Sequence, residues 1–406
     1  MGGATPEAGG RLDTVDCPLV EISFKLAPSE LVPPCSMLRD PTRDPDCPAP
    51  HMIKNSVPPT AAFNSRIPRN IRARTLRKPL PAYATPPAKA RRGNVPAVNI
   101  VPAPSKAPRI KMPRLATVGE AFALIGRSGL THLNANEICV RVGRDKEGIH
   151  QLRVSVRRLR SALVLFRDLI PDSERRHIAS RLKWIAKQCA EAREWDVFQD
   201  ELLIPLRHAH PDDPALEDFA DEVDKLRRAA DARVADMLAR TQYAKNIIKI
   251  ETWWNGGGWR KPATTLAAEK AVDFSRARIR KLHQRLCKLG KRVGELDETG
   301  LHKLRIRTKK LRYAIDFFSD LFPSKAARAY RTVLAEIQDC LGALNDTVVA
   351  RQLLAAVGKR APGLDPATFA RAADVITEWN TAKREAGLEQ LPGSWRRFAD
   401  LRPFWK

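Results

Sequence analysis

Residues 150–171 read HQLRVSVRRLRSALVLFRDLIP, and residues 302–323 read HKLRIRTKKLRYAIDFFSDLFP. Ten of these 22 aligned positions are identical, at a constant offset of 152 residues. Both copies place apolar residues at helical spacing, and each copy ends at a proline, which cannot continue a helix. The duplication therefore predicts two amphipathic helices that occupy equivalent places in two related halves of the fold.

In each copy a histidine is followed by basic residues three, seven and ten positions later. These offsets fall on one face of an α-helix, opposite the apolar residues. The first basic stripe consists of His150, Arg153, Arg157 and Arg160, and the second basic stripe consists of His302, Arg305, Lys309 and Arg312. Like charges at this spacing repel by about 0.2–0.5 kcal/mol per pair, and an anionic ligand would relieve that repulsion. The paired stripes therefore predict a site for a long polyanion.

Six other basic residues are secondary candidates, which would flank the site. Two lie about 100° from the stripe centres on a helical wheel, namely Arg158 and Lys310. Four repeat the stripe spacing just before the second copy, namely Arg278, Lys281, Arg285 and Lys288. A basic face that is simply solvated explains these six residues as well as a binding groove does.

The repeat continues beyond the two prolines, where residues 181–204 align with residues 331–354 at an offset of 150. Asp196 and Asp346 are equivalent in this extension. A metal site would need several carboxylates or imidazoles at one point, and the neighbouring arginines oppose a cation. We expect these acids to cap a helix or to form buried ion pairs that orient stripe arginines. The sequence predicts no metal, no cofactor and no catalytic residue.

The composition indicates an anionic partner. The 406 residues carry a formal net charge of +25, and only 6% of them are aromatic, so platforms for base stacking are scarce. Seven cysteines without a CxxC pattern predict reduced thiols, and no apolar run is long enough to cross a bilayer. We expect a cytoplasmic protein with no membrane partner. Its partner would be a phosphate polymer or, nonspecifically, nucleic acid, and the oligomeric state stays open.

The two ends of the chain differ in composition. Residues 1–112 hold 20 of the 31 prolines, and residues 47–119 contain 14 Lys or Arg but no Asp or Glu. Proline at this density breaks both helix and sheet, so residues 1–112 are predicted to be a mostly disordered basic segment. An all-α domain is predicted at 115–395. It would contain two bundles related by a pseudo-twofold axis, at 115–255 and 262–395.

The predicted domain contains periodic helical segments and no convincing alternating strand. A run of three glycines near residue 256 marks the break between the bundles. The predicted helices are 116–142, 147–170, 173–190, 194–208, 213–240, 263–292, 298–321, 324–342, 345–357 and 366–386.

The motif His-x-x-Arg-Val-x-x-Arg-Arg-Leu-Arg at 150–160 and HKLRIRTKKLRYAIDFF at 302–318 resemble the two signatures of the CHAD family, the conserved histidine α-helical domain. REWDV at 193–197 and LGALND at 341–346 resemble its downstream Asp motifs, although Glu194 stands where the family often has Asp. The resemblance implies two bundles around a basic channel that binds inorganic polyphosphate without catalysis. It assigns the contacts to the two basic stripes, and it implies a role at polyphosphate granules or in phosphate storage.

A second resemblance lies near residues 19–26. The segment VEISFKL there is similar to the first strand of a CYTH triphosphate-tunnel domain, which often precedes a CHAD domain and hydrolyses triphosphate with a divalent metal. The CYTH signature is Glu-x-Glu-x-Lys, and Ser23 replaces the second Glu, which normally helps to bind the metal. The segment is therefore either a truncated CYTH remnant or an unrelated tail. An inorganic triphosphatase of the CYTH–CHAD type is the enzymatic alternative.

Overall fold

The computed structural model describes residues 102–143, 145–260 and 265–406. Within these residues the fold is all-α, as predicted, and the one β-type contact is an isolated bridge between Thr117 and Lys270. None of the helices described is long and apolar enough to cross a bilayer. The helices are α1 (Val118–Gly143), α2 (Lys146–Leu165), α3 (Asp172–Gln188), α4 (Ala190–Phe198), α5 (Ile204–Ala209), α6 (Pro214–Ala239), α7 (Thr241–Asn255), α8 (Ala271–Gly290), α9 (Glu298–Phe318), α10 (Ser324–Arg360) and α11 (Pro366–Ala399).

Helix α7 is absent from the predicted set. It begins directly after α6, because Arg240 takes an extended conformation that ends one helix and starts the next without a linker. Its buried face includes Tyr243, Ile247 and Trp254, which repeat at helical spacing. The run of glycines follows α7, so the predicted position of the break is close to the observed end of the helical segment.

The last two helices are longer than predicted. The segments predicted at 324–342 and 345–357 form the single helix α10, because Leu341 and Ala343 are buried on either side of Gly342 and packing outweighs the low helix propensity of glycine. Helix α11 passes through Pro392 and continues to Ala399. The burial of Trp395 and Phe398 beyond the proline offsets the lost backbone hydrogen bond, which costs about 3 kcal/mol.

Equivalent helices of the two bundles contact each other, because α2 packs against α9, α1 against α8 and α6 against α11. Contacts between equivalent elements are those that a two-fold axis generates. Four phenylalanines lie at this axis and form two pairs at an offset of 152, and we call them the axis cluster: Phe122, Phe166, Phe274 and Phe318. The ring centre of Phe166 lies 5.8 Å from that of Phe318 and 5.0 Å from that of Phe274. The bundles therefore share one hydrophobic core.

The packed core extends beyond the predicted limits of the domain at both ends. Ile110 and Met112 are buried before residue 115, and Trp405 is buried after residue 395. The extended segment before α1 is held by Asn136, whose side chain accepts from the backbone N–H of Ser105 at 3.0 Å. Because proline is frequent around this segment, the sequence did not predict that Ile110 and Met112 would be buried. Residues 1–101, with the CYTH-like segment at 19–26, lie outside the described residues.

Candidate functional site

The two basic stripes converge where α2 meets α9. The guanidinium of Arg157 lies over the ring of Tyr313 on α9, with 6.0 Å between its central carbon and the ring centre. Burial lowers the pKa of both Arg305 and Lys309, and the positive charge of Arg157 lowers it further. Arg157 of the first stripe and Lys309 of the second stripe are equivalent in the repeat. The stripes therefore meet near the pseudo-twofold axis, with Arg157 at the junction.

Most stripe residues are half-buried on one face of their helix, while their neighbours on the opposite face are fully buried. Leu152, Val156 and Leu159 anchor α2, and Leu304 and Leu311 anchor α9. Burial on the apolar side fixes the rotation of each helix and so directs the stripe away from the core. Two stripe residues are more exposed than the others, namely Arg157 and His302.

The stripes carry positive charge that nearby acids do not neutralise by direct contact. In the described residues none of the eight stripe residues forms an ion pair within 4.0 Å, although ion pairs are frequent elsewhere on the helices. Arg153 donates to the backbone oxygen of Ala186 at 2.8 Å, and Arg312 donates to Oε1 of Gln338 at 2.6 Å. These neutral acceptors orient the guanidinium groups, while nearby acids, Glu194 for Arg153 and Asp316 for Arg312, act on them without a direct ion pair.

Burial, together with neighbouring positive charges, lowers pKa values at the centre of the site. Burial and the charges of Arg305 and Arg157 lower the pKa of Lys309 to about 7, while Asp346 opposes the shift. Burial is also the largest cause for His150, and with the charge of Arg193 it lowers the pKa to about 4. Burial lowers the pKa of Arg160 as well. An anion bound here would oppose these shifts, because it favours the protonated forms.

The secondary candidates do not form a uniform extension of the stripes. Arg158 lies 5.4 Å from the ring centre of Phe317 and is close to Asp316, between α2 and α9. Arg278 is ion-paired with Asp168. Lys281, Arg285 and Lys288 are exposed on α8. Lys310 is half-buried on α9.

The CHAD domain matches residues 125–355, which is more than half of the chain. The chain belongs to the CHAD domain family. No curated protein matches it. The resemblance that the two repeat signatures indicated is thereby confirmed, and the match does not reach the CYTH-like segment.

Two solved structures are similar to this CHAD chain. The crystal structure of the CHAD domain from the plant Ricinus communis is 30% identical, with a TM-score of 0.63, over 74% of this chain and 98% of that chain. PptA from Streptomyces chartreusis is 17% identical, with a TM-score of 0.51, over 69% of this chain and 100% of that chain. The second likeness shows the fold alone.

The two equivalent acids of the CHAD chain have different neighbours. Burial raises the pKa of Asp346, and the charges of Arg305, Lys383 and Lys309 partly oppose the rise. Asp346 is therefore close to two residues of the second stripe, but in the described residues it forms no ion pair with either of them within 4.0 Å. Asp196 is fully buried on α4 and lies instead near two cations outside the stripes, Arg193 and Arg227. In the described residues no three His, Cys, Asp or Glu side chains converge as metal ligands would.

Two residues beside the stripes were not among the predicted candidates. Tyr313 holds the guanidinium of Arg157, and Arg193 approaches His150 from α4. Tyr313 is one residue beyond the second stripe and carries no charge, so the pattern of basic residues did not include it. Arg193 opens the REWDV motif, of which Asp196 was the predicted residue. The sequence signal that could have identified Arg193 is a basic residue three positions before Asp196.

Proposed function

We propose that this CHAD protein binds inorganic polyphosphate along the two basic stripes and does not change it chemically. The observation that supports the proposal is that Arg157 of the first stripe lies close to Arg305 and Lys309 of the second, while none of the eight stripe residues has an acid within ion-pair distance in the described chain. Each stripe spans ten residues, or about 15 Å of helix, which matches several phosphates in a row. Arginine suits such a ligand, because its planar group can donate to two phosphate oxygens at once.

The chemistry of the junction favours a polyanion without bases. The ring of Tyr313 is covered on one face by Arg157, so it offers less surface to a stacking base. The enzymatic alternative rests on the segment near 19–26, which lies outside the described residues. We infer that the described domain retains polyphosphate rather than hydrolysing it, and that the protein acts at cytoplasmic polyphosphate granules or in phosphate storage.

Comparison of two polyanions tests the proposal. We expect polyphosphate to bind more tightly than single-stranded DNA of equal charge, measured by fluorescence anisotropy from about 50 to 200 mM salt. Affinity should fall steeply with salt for both, because both release counterions. Equal or tighter binding of DNA would contradict the proposal and favour nonspecific nucleic-acid binding. Release of phosphate from tripolyphosphate with Mg²⁺ or Mn²⁺ would contradict the non-catalytic part.

Polyphosphate binding should take up protons near neutral pH. The pKa of Lys309 is about 7 in the free protein, and a bound anion raises it. At about pH 8 the free amine is mostly neutral, so binding protonates it, whereas at about pH 6 it is already charged. Affinity should therefore be higher at the lower pH and should decline as the pH rises through the free pKa.

Calorimetry in buffers of different ionisation heat measures this uptake. Long-chain polyphosphate keeps the contribution of titrating chain ends small. The matched variant is Lys309→Gln, which should lose the uptake at about pH 8, while Arg160→Gln, whose charge is not among those that shift the pKa of Lys309, should keep it. Equal uptake in the wild type and Lys309→Gln would assign the protons to another group.

A further inference from the structure

Arg193 lies beside the first basic stripe but belongs to a different helix. It is half-buried on α4, which packs against α2. After burial, its charge is the largest influence on the pKa of His150, ahead of the charges of Arg157 and Arg153. It also contributes to the lowered pKa of Arg153, for which burial is the main cause. The guanidinium of Arg193 is therefore a close neighbour of the histidine end of the first stripe.

The side chain of Arg193 has donors to spare. Its one ion pair in the described chain is with Glu201, where Nη2 and Oε1 are 3.8 Å apart. That separation is too long for a hydrogen bond. No hydrogen bond of its guanidinium occurs among the described residues, whereas Arg153 and Arg312 each donate to a neutral acceptor. An incoming phosphate can therefore be bound without breaking a hydrogen bond of the Arg193 guanidinium.

Asp196 lies one helical turn after Arg193 and is completely buried. Neither of its carboxylate oxygens accepts a hydrogen bond in the described structure. Compensation comes from positive charge on two sides, since Arg227 Nη1 lies 3.9 Å from Oδ1 and Arg193 is also close. A buried carboxylate without hydrogen bonds is costly unless neighbouring charges stabilise it. Electrostatic attraction to Asp196 thus restrains the guanidinium of Arg193.

The backbone changes form directly after this pair. Helix α4 ends at Phe198, and residues Gln199–Leu203 form a π-helical turn before α5. The buried Oε1 of Gln199 also lacks a hydrogen-bond partner among the described residues. π-Helical turns inserted between α-helices are frequent at functional sites. The local departure from α-helical geometry therefore coincides with the position of Arg193 and Asp196.

We propose that Arg193 is a further polyphosphate-binding residue, which lengthens the first basic stripe beyond His150, and that Asp196 is its positioning residue. The inference rests on the proposed function. In the second bundle the position equivalent to Arg193 at an offset of 150 is Ala343, which is buried. The path for the polymer is therefore longer at the end of the first stripe, so the two ends of the site differ.

A double-mutant cycle tests the inference in the full-length chain with long-chain polyphosphate as the probe. Arg193→Gln should weaken binding roughly tenfold, the typical value of one charge-assisted contact. It should also reduce the slope of log K against log salt by about one, as the loss of one phosphate contact does. Lys245→Gln on α7 is the matched control, since it removes one exposed charge away from the stripes and should leave both values unchanged.

Asp196→Asn should weaken binding by roughly threefold, and the double variant should bind no more weakly than Arg193→Gln alone. Arg193→Lys should retain part of the affinity. If Arg193→Gln matches the wild type in affinity and salt slope, the inference is wrong while the proposed function stands. If the wild type does not bind polyphosphate, both are wrong. Additive effects in the double variant would overturn the positioning role, and should Asp196→Asn not fold, Arg193→Gln still decides the contact.

Discussion

Replacing Arg157 and Lys309 together by glutamate is expected to weaken polyphosphate binding by at least about 100-fold. The two residues are equivalent in the repeat and meet where the stripes converge, so the double change places repulsive charge at the centre of the path. A hydrogen bond to a charged group contributes about 1.5–3 kcal/mol, and about 1.4 kcal/mol is tenfold in affinity. Fluorescence anisotropy with labelled polyphosphate at constant salt measures the loss.

The matched control is the double variant Lys245→Glu with Lys249→Glu. It changes the net charge by the same amount but on the exposed face of α7. We expect this variant to weaken polyphosphate binding by less than about tenfold, because salt screens exposed charges that lie away from the ligand. Circular dichroism should show the same helix content in both variants. Equal losses in the two double variants would mean that total charge, and not the convergence of the stripes, governs binding.

The largest effect on stability is expected from Phe166→Ala. The ring of Phe166 is fully buried in the axis cluster and contacts Phe122, Phe274 and Phe318. Truncation of a buried phenylalanine typically lowers the free energy of unfolding by about 3–5 kcal/mol. Because the cluster joins both bundles, one transition in urea, followed by circular dichroism and tryptophan fluorescence, should shift as a whole.

Phe369→Ala provides the comparison, since that ring is only half-buried where α11 meets α6. The decrease in the free energy of unfolding should be clearly smaller for Phe369→Ala than for Phe166→Ala. Two separate transitions in Phe166→Ala, with one at the wild-type midpoint, would show that the bundles unfold independently. That outcome would contradict the shared core.

The sequence was sufficient for the fold class and for the convergence of the stripes. The duplicated pattern fixes which face of each helix is apolar, and a duplicated unit that pairs about an axis brings equivalent residues together. Arg157 and Lys309 meet for this reason. Helix boundaries were less predictable, because local propensity at Gly342 and Pro392 is outweighed by burial of residues on either side.

Neighbours from other helices could not be read from spacing. Arg278 repeats the stripe pattern, yet its partner Asp168 lies 110 residues away and holds it outside the stripes. Arg193 belongs to no stripe, yet packing of α4 against α2 places it beside His150. The spacing of residues along a helix specifies only which of them share a face of that helix. Which charges share an environment is decided by how the helices pack.

The axis cluster determines how the paired stripes respond to dilution of the protein. In many symmetric sites each half belongs to a separate polypeptide, so dilution dismantles the site. Here both halves are covalently joined and sit on one folded interior, so one molecule carries the complete set of eight stripe residues. The complete set of stripe residues is therefore assembled within each chain as it folds, which is what the proposed capture of a phosphate polymer by a single molecule requires.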